Sequence, residues 1–206
     1  RNILPSYKQN RKDKYATQTE EEQIAFEEFF EEYNATLDLL KWPILQFEGV
    51  EADDIAAHLV KNKNLFNFKN VWLVSSDRDW DLLIQPGVSR FSYVTRKEIT
   101  LDNWNQHYEV TPCEYISLKC LTGDKGDNVP GISGIGPKRA LGLIKEYGSA
   151  LNIYDAAPIP GKYKYIENLN ENYEQIIQNY ELMDLISYCD DAIGKDNIAQ
   201  IKERLS

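Results

Sequence analysis

The chain has 206 residues, 42% hydrophobic and 12% aromatic, with 33 acidic against 23 basic side chains and a net charge of −10. This composition places it among soluble globular proteins with room for one sizeable core and an appendage. No apolar run is long enough for a membrane span and no secretory leader opens the chain, so no membrane partner is expected. The cysteines Cys113, Cys120 and Cys189 lack CxxC spacing and are expected as reduced, buried thiols in a cytoplasmic protein. His58 and His107 are the only histidines, so no zinc site is expected.

The acidic balance alone argues against nucleic acid, but the charge is unevenly spread. Residues 1–15 carry Arg1, Lys8, Arg11, Lys12 and Lys14 against Asp13. Thr19-Glu20-Glu21-Glu22 forms a capping box that opens a long helix through Ile24, Phe26, Phe29, Phe30, Leu37 and Leu40, stopped by Pro43. Residues 44–47 predict a short strand. A helix over 51–63 follows, with Ala52, Ile55, Ala56 and Leu59 on its apolar face. Residues 71–74 predict a buried strand, 79–84 a short helix closed by Pro86-Gly87, and 91–94 and 98–100 two further short strands. This alternation indicates an α/β fold with a largely parallel sheet.

Beyond residue 100 the pattern becomes helical. Helices are expected over 111–121, with Pro112 at an early position, and over 137–147, ended by Gly148. The remainder to residue 206 reads as helices broken at Pro158, Pro160, Gly161 and Gly194. A boundary near residue 108 separates an α/β domain, 1–108, from a helical one, 109–206. A second basic zone lies in 131–164, where Lys138, Arg139, Lys145, Lys162 and Lys164 face Glu146 and Asp155.

Three acidic clusters stand out. Glu51, Asp53 and Asp54 begin a helix; Asp77, Asp79 and Asp81 follow a strand; Asp124 and Asp127 lie on a glycine-rich turn. Singly, each has an ordinary explanation: a helix dipole, a helix cap or turn chemistry. Together, carboxylates from separate elements repel unless cations bridge them, and oxygen-only donors indicate Mg²⁺ or Mn²⁺. Two such ions about 4 Å apart can stabilise the attacking water and leaving oxygen of phosphodiester hydrolysis. Gly131-Ile132-Ser133-Gly134-Ile135-Gly136-Pro137-Lys138 then enters a helix as a loop whose backbone N–H groups can approach a phosphate, with Lys138 and Arg139 adding charge. The GK[ST] pattern of a Walker loop is absent. A helix–loop–helix of this kind suits a grip on a duplex backbone that does not read sequence.

GDKGDNVPGISGIGPKRA (123–140) is similar to the metal loop and helix–three-turn–helix motif of the structure-specific 5′ nucleases, or flap endonucleases. GVEADD (49–54) and VSSDRDWDLL (74–83) resemble two further motifs of that family in the expected order, and LPSYKQNR (4–11) looks closest to its bacteriophage members. The resemblance implies a PIN-like domain with a helical arch over 10–40. It implies metal ligands at Glu51, Asp53, Asp54, Asp77, Asp79, Asp124 and Asp127, with Asp81 left out. It implies Lys8 and Arg11 at the scissile phosphate, stabilising developing negative charge. DNA contacts fall to Tyr7, stacked on a base or else packed, and to Lys14, Gly134, Ile135, Gly136, Lys138 and Arg139. A K⁺ ion on carbonyls around 131–135 is also implied. The activity would be Mg²⁺-dependent cleavage of flaps, gapped duplexes or 5′ ends, as 5′-3′ exonuclease and flap endonuclease, leaving a 5′-phosphate.

That family begins with two more strands, each supplying an aspartate, which this sequence does not contain. The expectation is therefore a shortened sequence, one half of a split nuclease completed by a separate N-terminal fragment, or an inactive remnant; otherwise the chain is expected to be a monomer. The competing reading is a non-catalytic DNA-binding fragment.

Overall fold

The computed structural model describes residues 4–205; Arg1 of the basic opening lies outside them. The first helices are α1 (Gln9–Ala16) and α2 (Glu20–Leu39). Thr19 caps α2 with the full reciprocal box, its side chain accepting from Glu22 N–H while the Glu22 carboxylate accepts from Thr19 N–H. Ile24, Phe26, Phe29, Phe30 and Tyr33 are all more than 40% exposed. Phe26, Phe29, Phe30 and Tyr33 pack on one another as an aromatic row, with Tyr15 of α1 against Phe26, instead of entering a core.

Residues 44–47 form no strand. Leu45 and Phe47 drop side chains onto a small core around Ile55, Ile193 and Ile201, and the Ile44 carbonyl accepts from Arg204 rather than from a strand partner. The segment is extended and apolar but pairs with no strand of the sheet. α3 (Ala52–Lys61) follows as expected, with Glu51 at its N-cap. Ala52 is exposed, while Ala56, Ala57 and Val60 form the buried face, packed with Leu73, Leu83, Val88 and Cys189.

The sheet has the order β1 (Val71–Val74), β2 (Val88–Ser92), β3 (Lys97–Ile99). β1 and β2 are parallel, with Val71 opposite Val88; β3 returns antiparallel, because only the four residues 93–96 separate it from β2. β1 is not buried on both faces as its VWLV run predicts. Leu73 points inward, but Trp72 and Val74 are 52% and 62% exposed on an open edge. A 3-10 turn (Asp79–Leu83) connects β1 to β2.

α4 (Pro112–Thr122) opens with a second complete capping box, Thr111 with Glu114. The two-residue strands β4 (Gly123–Asp124) and β5 (Val129–Pro130) then pair antiparallel and carry the 123–131 loop. A Cβ on Gly123 would lie 2.2 Å from the Gly131 nitrogen, and one on Gly131 2.2 Å from the Thr122 oxygen, so this closure admits only glycine at both ends. α5 (Pro137–Tyr147), α6 (Ala150–Ala156), α7 (Lys164–Glu171), α8 (Glu174–Met183), α9 (Leu185–Ile193) and α10 (Lys195–Leu205) complete the chain. The largest core lies here, with Cys120, Leu121, Ile144, Ile153, Leu169 and Ile176 essentially inaccessible. Cys120 and Cys189 are buried as expected; Cys113 is exposed. No helix among the described residues is long and apolar enough to cross a membrane.

Candidate metal centre and nucleic-acid interface

The acidic residues arrive from three directions. The N-terminus of α3 brings Glu51, Asp53 and Asp54; the turn after β1 brings Asp79; the β4–β5 loop brings Asp124 and Asp127. All six line one cavity of about 220 Å³ together with Tyr7 and Lys119. Asp77 lies one cavity over, beside Arg11, Asp79, Lys119, Asp124 and Asp127. The backbone does not stay extended past β1: Asp77 is exposed and its Oδ1 accepts the N–H of Asp79 at 2.9 Å, so Asp77 caps the turn and Asp79 is the one aimed inward.

Among the described residues, no three of these carboxylates have oxygens within 4.8 Å of one another. Basic side chains hold the space between them. Lys119, only 9% exposed, donates to Asp79 and, at 2.9 Å, to Asp124. Burial alone would lower the Lys119 pKa; Asp79 and Asp124 reverse that and raise it. Lys8 donates to Glu51 and lies 4.0 Å from Asp127, while Arg11 donates to Asp127. Lys8 is held by its own backbone, whose N–H donates to the Asp127 carbonyl at 3.0 Å, and Asn128 Nδ2 donates to the Ser6 carbonyl at 2.8 Å. The basic opening is thus pinned to the 123–131 loop. Lys14 is exposed in the last turn of α1.

Negative charge still exceeds positive. Burial pushes Asp53 and Asp79 above the usual carboxylate range, and neighbouring carboxylates push them further: Asp77 and Glu51 for Asp53, Asp77 and Asp124 for Asp79. Asp124 is held below that range despite partial burial, because Lys119 and the N–H groups of Gly126 and Asp127 donate to it. An oxygen-only donor set with surplus negative charge fits a hard divalent cation.

Two contributors escape the sequence patterns. Trp80 Nε1–H donates to Asp53 Oδ1 at 2.6 Å and orients it. Lys119 sits among Ile116, Leu118, Cys120 and Leu121 of α4, and a lysine so flanked by apolar residues needs a carboxylate partner when buried; that is the available signal. Asp81 is engaged elsewhere. It is fully buried against Arg90, which grips both its oxygens, and Tyr108 donates to it as well. Tyr7 is packed: burial raises its pKa to about 12, its hydroxyl lies 3.4 Å from Asp127, and Lys8 covers its ring at 4.9 Å.

The glycine loop leads into α5. Ile135 is buried in the core and anchors the loop, whereas Gly134, Gly136, Lys138 and Arg139 are exposed. Arg139 donates to the Gly134 carbonyl at 2.6 Å and lies over the Tyr165 ring at 4.7 Å. The Ser133 carbonyl accepts from Asn168, and the Ile132 carbonyl from Ile135 N–H.

Carboxylates gathered from three elements, a basic rim and a glycine loop opening a helix define a class, and family comparison agrees. Residues 1–109 match the 5′-3′ exonuclease N-terminal resolvase-like domain, and residues 110–203 the 5′-3′ exonuclease C-terminal SAM fold. The chain belongs to the 5′-3′ exonuclease family. It is 48% identical over 194 residues to the flap endonuclease of Escherichia phage T5, covering 93% of this chain and 66% of that protein. It is 37% identical over 117 residues to a 5′-3′ exonuclease of Aquifex aeolicus, covering 57% and 40%. A T5 protein co-crystallised with metal ions superposes with a TM-score of 0.92 at 44% identity, over 99% of this chain and 79% of that one. The T5 flap endonuclease in a complex with DNA and metal ions gives 0.90 at 44% identity, over 99% and 77%.

Proposed function

We propose that the chain is the core of a Mg²⁺-dependent, structure-specific 5′ nuclease that cleaves DNA at flaps and 5′ ends during replication or repair. The observation that carries this reading is the convergence of Glu51, Asp53, Asp54, Asp79, Asp124 and Asp127 on one cavity rimmed by Lys8 and Arg11. These carboxylates and Asp77 would hold the divalent ions, with Mn²⁺ as a substitute; such ions supply Lewis acidity for phosphodiester hydrolysis. Lys8 and Arg11 offer positive charge to a phosphate entering beside Asp127, and the held position of Lys8 sets that charge in place before substrate arrives. Lys119 bridges Asp79 and Asp124 and opposes the rise that burial imposes on Asp79. Gly134, Gly136, Lys138 and Arg139 would hold the duplex backbone away from the cut, with K⁺ on carbonyls around 131–135.

A second reading, one half of a split nuclease, is favoured by the open edge of β1, where Trp72 and Val74 lie bare. In that case the chain binds DNA by itself and cleaves only when further strands complete the sheet. The test compares wild type with Asp79→Ala on a labelled 5′-flap duplex. Loss of Mg²⁺-dependent cleavage with anisotropy-measured binding retained is expected; full cleavage by Asp79→Ala would refute the metal assignment.

A further inference from the structure

We propose that His58, Cys189 and Asp190 form a second metal site, chemically distinct from the carboxylate cavity, that takes a zinc-class ion between α3 and α9. The sequence gives no hint of it, because one histidine stands 131 positions from the cysteine. The fold brings them together: their candidate ligand atoms all lie within 4.8 Å of one another. His58 Nδ1 is 2.6 Å from Asp190 Oδ1, and Cys189 Sγ is 3.6 Å from the same oxygen. Atoms bound to one zinc ion at about 2.0 to 2.3 Å stand roughly 3 to 4 Å apart, so small side-chain shifts and one water would complete the shell, with the Cys189 thiol proton, shared with the Ile186 carbonyl and Asp190, and the proton between His58 and Asp190 released to solvent.

His58 and Cys189 are buried, at 3% and 0% exposure. His58 Nε2 is buried without a hydrogen-bond partner among the described residues, so Nδ1 is the nitrogen turned toward polar neighbours. Lys61 binds the other Asp190 oxygen at 2.8 Å and leaves Oδ1 facing the histidine and cysteine. The Asp190 side chain is 39% exposed, which gives an ion a way in and a position for water. Nitrogen, sulfur and oxygen donors together select zinc-class ions over Mg²⁺, the reverse of the oxygen-only cavity. An ion here would pin α3, whose N-terminus carries Glu51, Asp53 and Asp54, to α9, and so would brace the first carboxylate group.

Co²⁺ is the probe, because a thiolate-to-cobalt charge-transfer band reports sulfur ligation that no carboxylate site produces. The intact chain, stripped with EDTA and titrated with Co²⁺, is expected to develop this band with one equivalent, to lose it to Zn²⁺ and to keep it in excess Mg²⁺. Cys189→Ser is expected to abolish the band. Asp190→Asn, which keeps the shape of the side chain and is first checked for an unchanged circular dichroism spectrum, is expected to weaken Co²⁺ binding at least about tenfold. Absence of the band, its survival in Cys189→Ser, or unchanged affinity in Asp190→Asn would each overturn the site and leave His58–Asp190 as a simple clamp between helices. None of these readouts depends on nuclease activity.

Discussion

At the scale of single residues, what separates a structural carboxylate from a site carboxylate is the partner it meets. Asp81 and Asp79 stand two positions apart in one motif. Asp81 is sealed against Arg90 and Tyr108, whereas Asp79 meets a lone ammonium in an open cavity. Asp81→Asn should leave the Arg90 guanidinium buried and short of its counter-charge, at a cost of about 3 kcal/mol or more measured by urea denaturation. Lys119→Met should act differently. It leaves Asp79 and Asp124 facing each other, so the metal-free protein melts at a lower temperature. Added Mg²⁺ should then raise its Tm by more than it raises that of wild type. An equal Mg²⁺ response in both proteins would show that Lys119 does not share these carboxylates with the cation. Lys8→Ala should lower the single-turnover cleavage rate on the order of a hundredfold, with little change in flap binding.

At the scale of elements, the helix signals in the sequence were sound where the physics is local. The Thr19 capping box forms as the Thr-x-x-Glu spacing predicts, a second at Thr111 emerges with the structure, and α5 runs from Pro137 to Tyr147 as expected. Strands were less legible, because a strand needs a partner that lies elsewhere in the chain. Residues 44–47 have strand-like composition but are held by side-chain packing and pair with no strand, and the two-residue strands β4 and β5 are too short to leave a pattern. The Thr111 box also sets a pH dependence. Hydrogen bonds from the Thr111 backbone and hydroxyl hold Glu114 below its ordinary value of 4.5. Because the folded-state pKa is depressed, this stabilisation is complete above about pH 4.5 and fades as pH falls through the lower folded value. Glu114→Gln should therefore lower Tm at neutral pH, and the gap from wild type should close in acid; a gap that persists at low pH would assign the effect to packing.

At the scale of the whole molecule, the candidate site was legible as residue types but not as an arrangement. The ordered motifs name the carboxylates, and the cavity gathers six of them. The cations that hold them apart come from a buried lysine and a basic opening pinned by backbone hydrogen bonds, contacts that no local pattern encodes. The aromatic row of α2 and the bare Trp72 and Val74 on β1 were equally hidden, since their composition reads as core. The most direct measurement is Mg²⁺-dependent cleavage of a 5′-flap duplex by this chain, alone and with strands that complete the β1 edge. Release of the flap strand, leaving a 5′-phosphate, in at least one of these conditions and its loss in Asp79→Ala are expected. No cleavage in either condition at saturating Mg²⁺ or Mn²⁺, with flap binding intact, would contradict a catalytic role.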